Sequence, residues 1–343
     1  MEDRFPEIII RAKQIALVTH THPDGDAVGS TLALRAFLEE NCGKHAVKAL
    51  YPTPWPDPVD FLFEGIRDKA LVWEQDPRVA ARWIEGSDLI ICLDFNAFSR
   101  TDGMEDALRG SSAPKVLIDH HLNPDRAAFE LCFSRTEISS ASELLFQILL
   151  TLPQSGGMAR NLPQRCLDAL MTGITTDTNN FANSVYPSTL QAYAELLSAG
   201  ADRETILENV FQRYRENRLR LMGHLLRDKM VLRPDGLAYM ILDAATAAAY
   251  DIRDGELEGM VNLPLSLAQV KMSIFLREEG DHFRVSIRSK RGWSANRCAV
   301  EQFHGGGHEQ AAGGKLYFPA DIPAPADAAA YIESHTKDYL NEN

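Results

Sequence analysis

The sequence predicts an α/β protein of two domains, a parallel sheet with helices on both faces followed by a smaller α+β domain. In the first half of the 343-residue chain, short apolar runs alternate with helical patterns, which is typical of a parallel sheet. Three of these apolar runs end in acidic residues or histidines. The last third contains a hairpin pattern with a Pro-Asp-Gly turn and two further strands. We expect domains at 1–187 and 230–343, with a helical connector at 188–229.

The first predicted strand and the segment after it hold the densest group of functional candidates. The apolar run Ile15–Val18 stops at His20, and a helical pattern begins at Ala27. Asp24 and Asp26 lie between strand and helix, where ligands gather in open α/β sheets. Their alternate spacing suits two ions side by side, each taking one carboxylate. Hard divalent ions such as Mn²⁺ accept oxygen and imidazole ligands together.

Later elements repeat the arrangement. One apolar strand ends in Asp94, another ends in Asp119-His120-His121, and a later helix leads into Asp177. Because the carboxyl ends of parallel strands lie along one edge of a sheet, we expect these side chains to meet. The remaining elements predicted for the first domain are a helix at Glu7–Lys13, a strand at Lys44–Leu50, and helices at Ala27–Glu40, Ser139–Leu152 and Leu162–Ile174.

Two other segments have simpler interpretations. Four prolines between Tyr51 and Pro58 exclude regular structure, and we expect Trp55 in this loop to be an anchor packed on the core. The helical pattern from Ser188 to Lys229 is densely charged and is expected to be a solvated connector. Contact with phosphate is a less favoured role for its four arginines, Arg213, Arg215, Arg218 and Arg220.

Composition limits the class of protein. The formal net charge of −13 argues against a broad cationic surface for long nucleic acid, but not against a small phosphorylated substrate. No apolar run approaches the roughly 18 residues of a membrane span, and the acidic N-terminus lacks a signal-peptide pattern. The five scattered cysteines form no Cys-x-x-Cys pair, so we expect reduced thiols in a cytoplasmic protein.

These motifs resemble those of the DHH phosphoesterase superfamily. The pattern His-x-x-x-Asp-x-Asp, a strand-terminal Asp, Asp-His-His and a later Asp occurs in that order. The segment Gly305–Gly314 resembles the glycine-rich signature of the DHHA1 domain that accompanies it. The two-domain length is similar to that of the NrnA-like subgroup, which are bifunctional oligoribonucleases that also dephosphorylate 3′-phosphoadenosine 5′-phosphate (pAp).

The resemblance implies a two-ion site and assigns its ligands by position. The first ion would be held by His20, Asp24 and Asp94, and the second by Asp26, Asp94, His120 and Asp177. Asp94 would bridge the two ions. Asp119 would orient a neighbouring ligand, and His121 would contact the scissile phosphate or assist proton transfer. The family prefers Mn²⁺, with Mg²⁺ or Co²⁺ as substitutes.

The resemblance also implies a substrate site in the second domain. The family uses an Arg-Ser pair, here Arg288-Ser289, and the glycine-rich stretch, here Gly305, Gly306, Gly307 and His308. Glycines let the backbone approach a ligand closely, and their N–H groups can cradle an anion. We expect the substrate to place its terminal phosphate on the metals and its nucleoside against the glycine-rich loop. His304 and His22 stand where relatives vary, so they have no assigned role, and His22 is expected to face solvent.

The predicted function is hydrolysis of short RNA oligomers and of pAp by metal-activated water. Both reactions need the same attack on phosphorus. A phosphodiesterase for linear di-adenylate is the runner-up, and an exopolyphosphatase stays open. An inorganic pyrophosphatase or a processive DNA exonuclease fits the second domain and the acidic composition less well. A metal-free nucleotide sensor would lack a ligand position, and none is missing. Long duplex nucleic acid and membranes are not expected partners, and a homodimer is left open.

Overall fold

The computed structural model describes residues 4–253 and 255–340, which divide into two compact units, one up to Arg213 and one from Tyr214. The first unit is built on six parallel strands in the spatial order β3-β2-β1-β4-β5-β6. The chain therefore winds outward from β1 and then in the other direction from β4, which makes the edge beside β1 and β4 a topological switch point. The strands are β1 (Gln14–Val18), β2 (Ala46–Tyr51), β3 (Ala70–Val72), β4 (Leu89–Leu93), β5 (Lys115–Asp119) and β6 (Leu131–Ser134).

Helices cover both faces of this sheet, as the sequence predicts. The helices of the first unit are α1 (Arg4–Arg11), α2 (Gly25–Glu40), α3 (Pro77–Gly86), α4 (Glu105–Gly110), α5 (Ala141–Thr151), α6 (Gln164–Asp177), α7 (Pro187–Ala199) and α8 (Arg203–Phe211). In β1, Ile15 and Leu17 join the core formed with α1, α2, α5 and α6. Ala16 and Val18 join the core formed with α3 and α4 on the other face. This alternation follows from the two-residue period of a strand.

The second unit contains a six-stranded mixed sheet in the order β11-β12-β10-β9-β8-β7, in which β8 and β9 are parallel and the other neighbours are antiparallel. The predicted hairpin joins β7 to β8 through Pro234-Asp235-Gly236. The elements are α9 (Glu216–His224), β7 (Val231–Leu232), β8 (Leu237–Leu242), α10 (Ala244–Ala249), β9 (Met272–Glu279), β10 (His282–Ser289), α11 (Ala295–Gln302), β11 (Gly306–His308), β12 (Ala311–Tyr317) and α12 (Ala328–His335).

The segment expected as a connector, 188–229, contributes to both units. Leu196 of α7 and Ile206 of α8 are buried in the core of the first unit, whereas Leu221 of α9 is buried in the second. Only a few widely spaced apolar residues make these core contacts. Because charged residues outnumber them, the composition of the segment does not reveal that it packs against both cores. The four arginines all have protein partners: Arg213 donates to Asn209, Arg215 to Asp251, Arg218 to the carbonyls of Glu256 and Glu258, and Arg220 to Glu216.

Trp55 and the five cysteines have the environments that the sequence predicts. Trp55 stacks on Phe63 with ring centroids 3.6 Å apart and packs against the first core, which is the anchoring role expected for it. The five cysteines are free thiols. Within the described ranges, no helix combines the length and the apolar character needed to cross a bilayer.

Candidate metal centre

Eight predicted side chains come from neighbouring strand ends and from two helix ends. His20 and Asp94 follow β1 and β4, and Asp119 is the last residue of β5, with His120 and His121 directly after it. β1, β4 and β5 are adjacent in the sheet, so these side chains share one edge. The helix ends supply the other carboxylates: Asp24 caps α2, Asp26 lies in its first turn, and Asp177 ends α6.

The first group consists of His20, Asp24 and Asp94, whose ligand atoms all lie within 4.8 Å of one another. His20 donates from Nδ1 to the carbonyl of Thr21 at 2.8 Å. This bond leaves the Nε2 lone pair available, 3.5 Å from Asp94 Oδ2. Asp24 Oδ1 accepts from the backbone N–H groups of Asp26 and Ala27 at 3.0 Å each, so one oxygen caps the helix and the other stays available.

The second group shares Asp94 with the first. His120 Nε2 lies 3.3 Å from Asp94 Oδ1, 3.6 Å from Asp177 Oδ2 and 3.9 Å from Asp26 Oδ2. Asp94 has a left-handed backbone, with φ of 66°, a conformation that aspartate tolerates better than most residues. Its two carboxylate oxygens therefore face the two groups, Oδ2 towards His20 and Oδ1 towards His120.

Asp26 is held by a helix that sequence reasoning did not connect to it. The backbone N–H groups of Ala141 and Ser142, in the first turn of α5, donate to its two carboxylate oxygens at 2.6 and 2.9 Å. A helix N-terminus favours a negative charge, so α5 both orients and stabilises this carboxylate. The sequence does contain the start signal of α5, since Ser140 Oγ accepts from the Glu143 N–H at 3.0 Å. Nothing in the sequence links that signal to Asp26, more than a hundred residues earlier.

The buried Glu143 fixes this turn of α5. Its Oε2 accepts from the N–H of Ser139 at 3.0 Å, from Ser139 Oγ at 2.6 Å and from Thr189 Oγ1 at 2.7 Å. Thr189 belongs to the first turn of α7. A fully buried carboxylate with three donors is well satisfied, and it ties the N-terminal turns of α5 and α7 together.

Close packing of α2 on α6 brings Asp26 and Asp177 to the same place. A Cβ added to Gly29 would lie 2.9 Å from the backbone N of Gly173. A Cβ added to Gly173 would lie 2.7 Å from Asp26 Oδ1 and 2.7 Å from Ser142 Cβ. Since real Cβ atoms essentially never approach other atoms so closely, both positions require glycine. This requirement was also missed, because a glycine inside a helical pattern does not show what packs against it.

The carboxylates repel one another strongly. Burial raises the pKa of Asp26 well above its usual value, and the charges of Asp94 and Asp177 raise it further. Burial also raises the pKa of Asp177, to about 6, against the opposing effect of His120. Burial alone would raise the pKa of Asp94, but His120 and His20 hold it far below its usual range. Burial alone would lower the pKa of His120, but Asp177 and Asp94 raise it well above its usual value.

The donor set fits divalent cations. Asp94 Oδ1 and Asp119 Oδ2 are buried and have no hydrogen-bond partner among the described residues. Buried acceptors without a donor are costly, and a cation would satisfy them. Carboxylate oxygens with a few imidazole nitrogens suit a hard or borderline metal ion. The two groups with a shared Asp94 match two adjacent ions better than a single one.

Asp119 and His121 form a pair beside the two groups. His121 Nδ1 donates to Asp119 Oδ1 at 2.8 Å and lies 3.8 Å from Asp94 Oδ1. Asp119 is fully buried, and His121 is largely buried. The hydrogen bond fixes the imidazole orientation and leaves its Nε2 as the atom that can exchange a proton.

The predicted substrate residues lie in the second unit. Arg288 and Ser289 end β10, and Ser289 Oγ donates to the carbonyl of Trp293 at 2.6 Å. The stretch expected as a loop is partly a strand, because Gly306–His308 forms β11 and pairs with β12. A Cβ on Gly307 would lie 2.6 Å from the carbonyl oxygen of Ala311, and a Cβ on Gly305 would lie only 1.9 Å from that of Gly313. Close packing of the strands therefore requires glycine at these positions, whether or not a ligand also binds there.

The two variable histidines are placed differently. His304 follows α11 with φ of 47°, and its Nε2 donates to Asp321 Oδ1 at 2.9 Å. His22 is exposed, as expected, and its backbone N–H donates to Thr53 Oγ1 at 2.7 Å. Neither belongs to the two groups of ligand atoms around Asp94.

Comparison with known families identifies both units. The model of the DHH family, N-terminal domain, matches residues 14–174, and that of the DHHA1 domain matches residues 238–331. A solved structure of an exopolyphosphatase-related protein from Bacteroides fragilis is 34% identical, with a TM-score of 0.89, and the match covers 99% of this chain and 96% of that one. The chain belongs to the DHH family.

Curated relatives have more specific names. The bifunctional oligoribonuclease and PAP phosphatase NrnA of Bacillus subtilis is 27% identical over 307 residues, covering 88% of this chain and 89% of that protein. The cyclic-di-AMP phosphodiesterase PdeA of Listeria monocytogenes is 29% identical over 212 residues, covering 60% of this chain and 30% of that protein. Membership of the family indicates a metal-dependent phosphoesterase, and therefore a hydrolase.

Proposed function

We propose that the protein is a Mn²⁺-dependent phosphoesterase that hydrolyses short oligoribonucleotides to mononucleotides and removes the 3′-phosphate of pAp. The observation that carries the proposal is the pair of buried ligand groups joined by Asp94. The similarity to the B. subtilis oligoribonuclease and PAP phosphatase over most of both chains supports the choice of substrates. Residues 1–187 would form the catalytic domain, and residues 230–343 would form the domain that recognises the nucleotide.

His20, Asp24 and Asp94 would hold one ion, and Asp26, Asp94, His120 and Asp177 the other. Bound ions of this kind supply a water of lowered pKa and positive charge against the phosphoryl oxygens. The protein orients the ligand side chains before any ion binds: α2 presents Asp24 through its cap, and α5 orients Asp26 through two N–H groups. Preorganisation of this kind lowers the barrier because no ligand has to reorient during the reaction.

We assign proton transfer, or contact with the scissile phosphate, to His121. Its Nδ1–H is engaged by Asp119, so Nε2 would donate to the leaving oxygen or contact the phosphoryl group. In the second unit, Arg288 would bind a substrate phosphate, and the Gly305–His308 segment, together with Ser289, would contact the nucleotide.

Two alternative substrates follow from the relatives. Similarity to a cyclic-di-AMP phosphodiesterase supports a di-adenylate as the substrate, and the linear form is the alternative that we propose. Similarity to an exopolyphosphatase-related protein favours polyphosphate. The hydrolyses of RNA, pAp, linear di-adenylate and polyphosphate all need the attack of water on phosphorus. The metal site therefore cannot distinguish these four substrates, and only an assay can.

The deciding experiment compares pAp, a diribonucleotide, linear di-adenylate and polyphosphate, each with and without Mn²⁺. Hydrolysis of pAp and of the diribonucleotide, lost in Asp94→Asn and kept in the exposed control Asp106→Asn, supports the proposal. Hydrolysis of polyphosphate alone overturns the substrate assignment. Normal turnover by Asp94→Asn with its metals retained overturns the catalytic centre.

A further inference from the structure

The mixed sheet of the second unit has one face that is partly open. Residues of β10 alternate between the hydrophobic core, which Phe283, Val285 and Ile287 enter, and the opposite face. α11 and α12 pack on the core side, with Ala299 and Ile332 among the buried residues. The opposite face carries the polar residues of β10, which are His282, Arg284, Ser286 and Arg288.

Three cations lie side by side on this opposite face. In the strand register, Arg284 of β10 is directly opposite Arg277 of β9 and Lys315 of β12. Like charges directly opposite each other destabilise a sheet, so these three cations reduce the stability of the folded protein. Arg277 has a carboxylate nearby, Glu279 at 3.5 Å. Arg284 and Lys315 are both exposed. Neither forms an ion pair within 4 Å among residues 4–253 and 255–340, but the charge of Lys315 adds to the effect of His282 in lowering the pKa of Asp281.

Aromatic rings lie next to the cation row. His282 is paired in register with Tyr317, and their ring centroids are 5.5 Å apart. The ring of His304 lies 5.7 Å from that of Tyr317. The acidic residues at this end are engaged, since Asp281 accepts from His282 at 2.9 Å and Asp321 from His304 at 2.9 Å.

The other side of the row has small residues. Ser286 is paired with Gly313, and Gly313 with Gly306 of the glycine-rich strand. Arg288 follows one further step along β10, four residues from Arg284. At a rise of about 3.3 Å per residue, the Cα atoms of the two arginines are roughly 13 Å apart. A ligand with several phosphates in series can contact both arginines at once.

We propose that this face binds further nucleotides of single-stranded RNA, beyond the one at the catalytic centre, with phosphates on Arg284 and Lys315 and a base stacked on Tyr317. The inference rests on the proposed function, because it extends the substrate from the nucleotide at Arg288. Cations that follow a phosphate backbone, interleaved with rings that stack on bases, characterise sites for single-stranded nucleic acid. Polyphosphate would use the cations but has no base to stack on the rings. Such a local row is compatible with a net charge of −13 because it covers only a few strands.

The test uses the full chain and the double variant Arg284→Ala/Lys315→Ala. Its control is Lys337→Ala, an exposed cation two residues after the end of α12, a helix that packs on the core side of the sheet. Binding of a 5′-labelled pentaribonucleotide is measured by fluorescence anisotropy in EDTA over a salt series. KM and kcat with Mn²⁺ are measured for the pentaribonucleotide and for pAp, and unlabelled polyphosphate of similar charge serves as competitor. A Tyr317→Leu variant tests the stacking contact.

The proposal expects the double variant to raise KM for the pentaribonucleotide on the order of tenfold, with kcat and all pAp kinetics unchanged. The salt slope of binding should fall by about 1.4, which corresponds to two phosphate contacts. Unchanged pentaribonucleotide binding in the double variant overturns the RNA surface and leaves the proposed function intact. So does competition by polyphosphate as strong as that by unlabelled RNA. If the wild type hydrolyses neither RNA nor pAp, the proposed function fails, and the binding series alone then supports or overturns the surface.

Discussion

Gly173 offers a test of how the fold positions the metal ligands, because one methyl group reaches Asp26 directly. In Gly173→Ala the new Cβ would lie 2.7 Å from both Asp26 Oδ1 and Ser142 Cβ. Each neighbour would have to move by about 0.7 Å to reach an ordinary contact of 3.4 Å. The Ser142 hydroxyl can rotate away, but its Cβ moves only with the backbone of α5, which also holds Asp26.

The effect on stability should be modest and the effect on activity large. Overpacking of a well-packed site costs about 1–3 kcal/mol, and the gain in helix propensity from glycine to alanine offsets about 1 kcal/mol of it. A misplacement of about 1 Å in a catalytic group can cost on the order of 100-fold in rate. We therefore expect kcat/KM for pAp to fall by roughly 30- to 100-fold, with weaker binding of Mn²⁺ and a protein that remains folded.

The assay is Mn²⁺-dependent pAp hydrolysis, together with calorimetric titration of Mn²⁺ and thermal unfolding. Gly223→Ala is the matched control, because Gly223 lies in α9 and nothing lies within 4 Å of a Cβ added there. That control should be unchanged or slightly more stable, with full activity. A Gly173→Ala protein with wild-type kinetics and wild-type Mn²⁺ affinity would refute the link between helix packing and ligand position.

Three other predictions concern the scaffold. Glu143→Gln should reduce stability by about 1–3 kcal/mol and weaken Mn²⁺ binding, because a neutral amide oxygen accepts from the donors to Oε2 more weakly than a carboxylate does. Gln147→Ala loses only the 3.2 Å bond to Oε1 and should change both quantities little, so equal effects of the two variants in urea unfolding and Mn²⁺ titration would contradict this. All five thiols should react slowly with a disulfide reagent at pH 8 in the native protein and quickly in guanidinium. The reason is that burial raises the pKa of every cysteine, that of Cys42 to about 11. Fast reaction of the native thiols would count against the fold. Burial alone would raise the pKa of Asp235, but Arg233 lowers it, so this pair stabilises the protein above about pH 4 and the effect is lost as the pH falls through the lowered pKa. Asp235→Asn should cost about 1–2 kcal/mol in urea unfolding at pH 7, and this cost should shrink as the pH falls below about 4. A cost that stays constant with pH would exclude the ion pair as the cause.

The strand ends could be predicted from the sequence because the information is local. An apolar run followed by Asp94, or by Asp119-His120-His121, contains both the strand and the residue that its carboxyl end presents. Parallel pairing then places such ends together without knowledge of individual contacts. The predicted ligand candidates His20, Asp24, Asp26, Asp94, His120 and Asp177 accordingly converge in the structure.

The supporting contacts could not be predicted, because each joins distant parts of the chain. The N-terminus of α5 holds Asp26 across a separation of 115 residues, and Gly173 packs against that same carboxylate. Only the packed structure shows that the N-terminal turn of α5 binds the carboxylate of Asp26. In the same way, β11 was expected as a loop because its glycines lack side chains that would indicate a strand, and its pairing with β12 supplies the order.

The most direct test of the account is the number and coupling of bound metal ions. Electron paramagnetic resonance of the purified chain loaded with Mn²⁺, together with elemental analysis, measures both. The account predicts two Mn²⁺ per chain with a spin-coupled spectrum, and loss of the coupling in Asp94→Asn, because that carboxylate is shared by both ligand groups. A single ion per chain, or two uncoupled ions in the wild type, would contradict the two-ion centre.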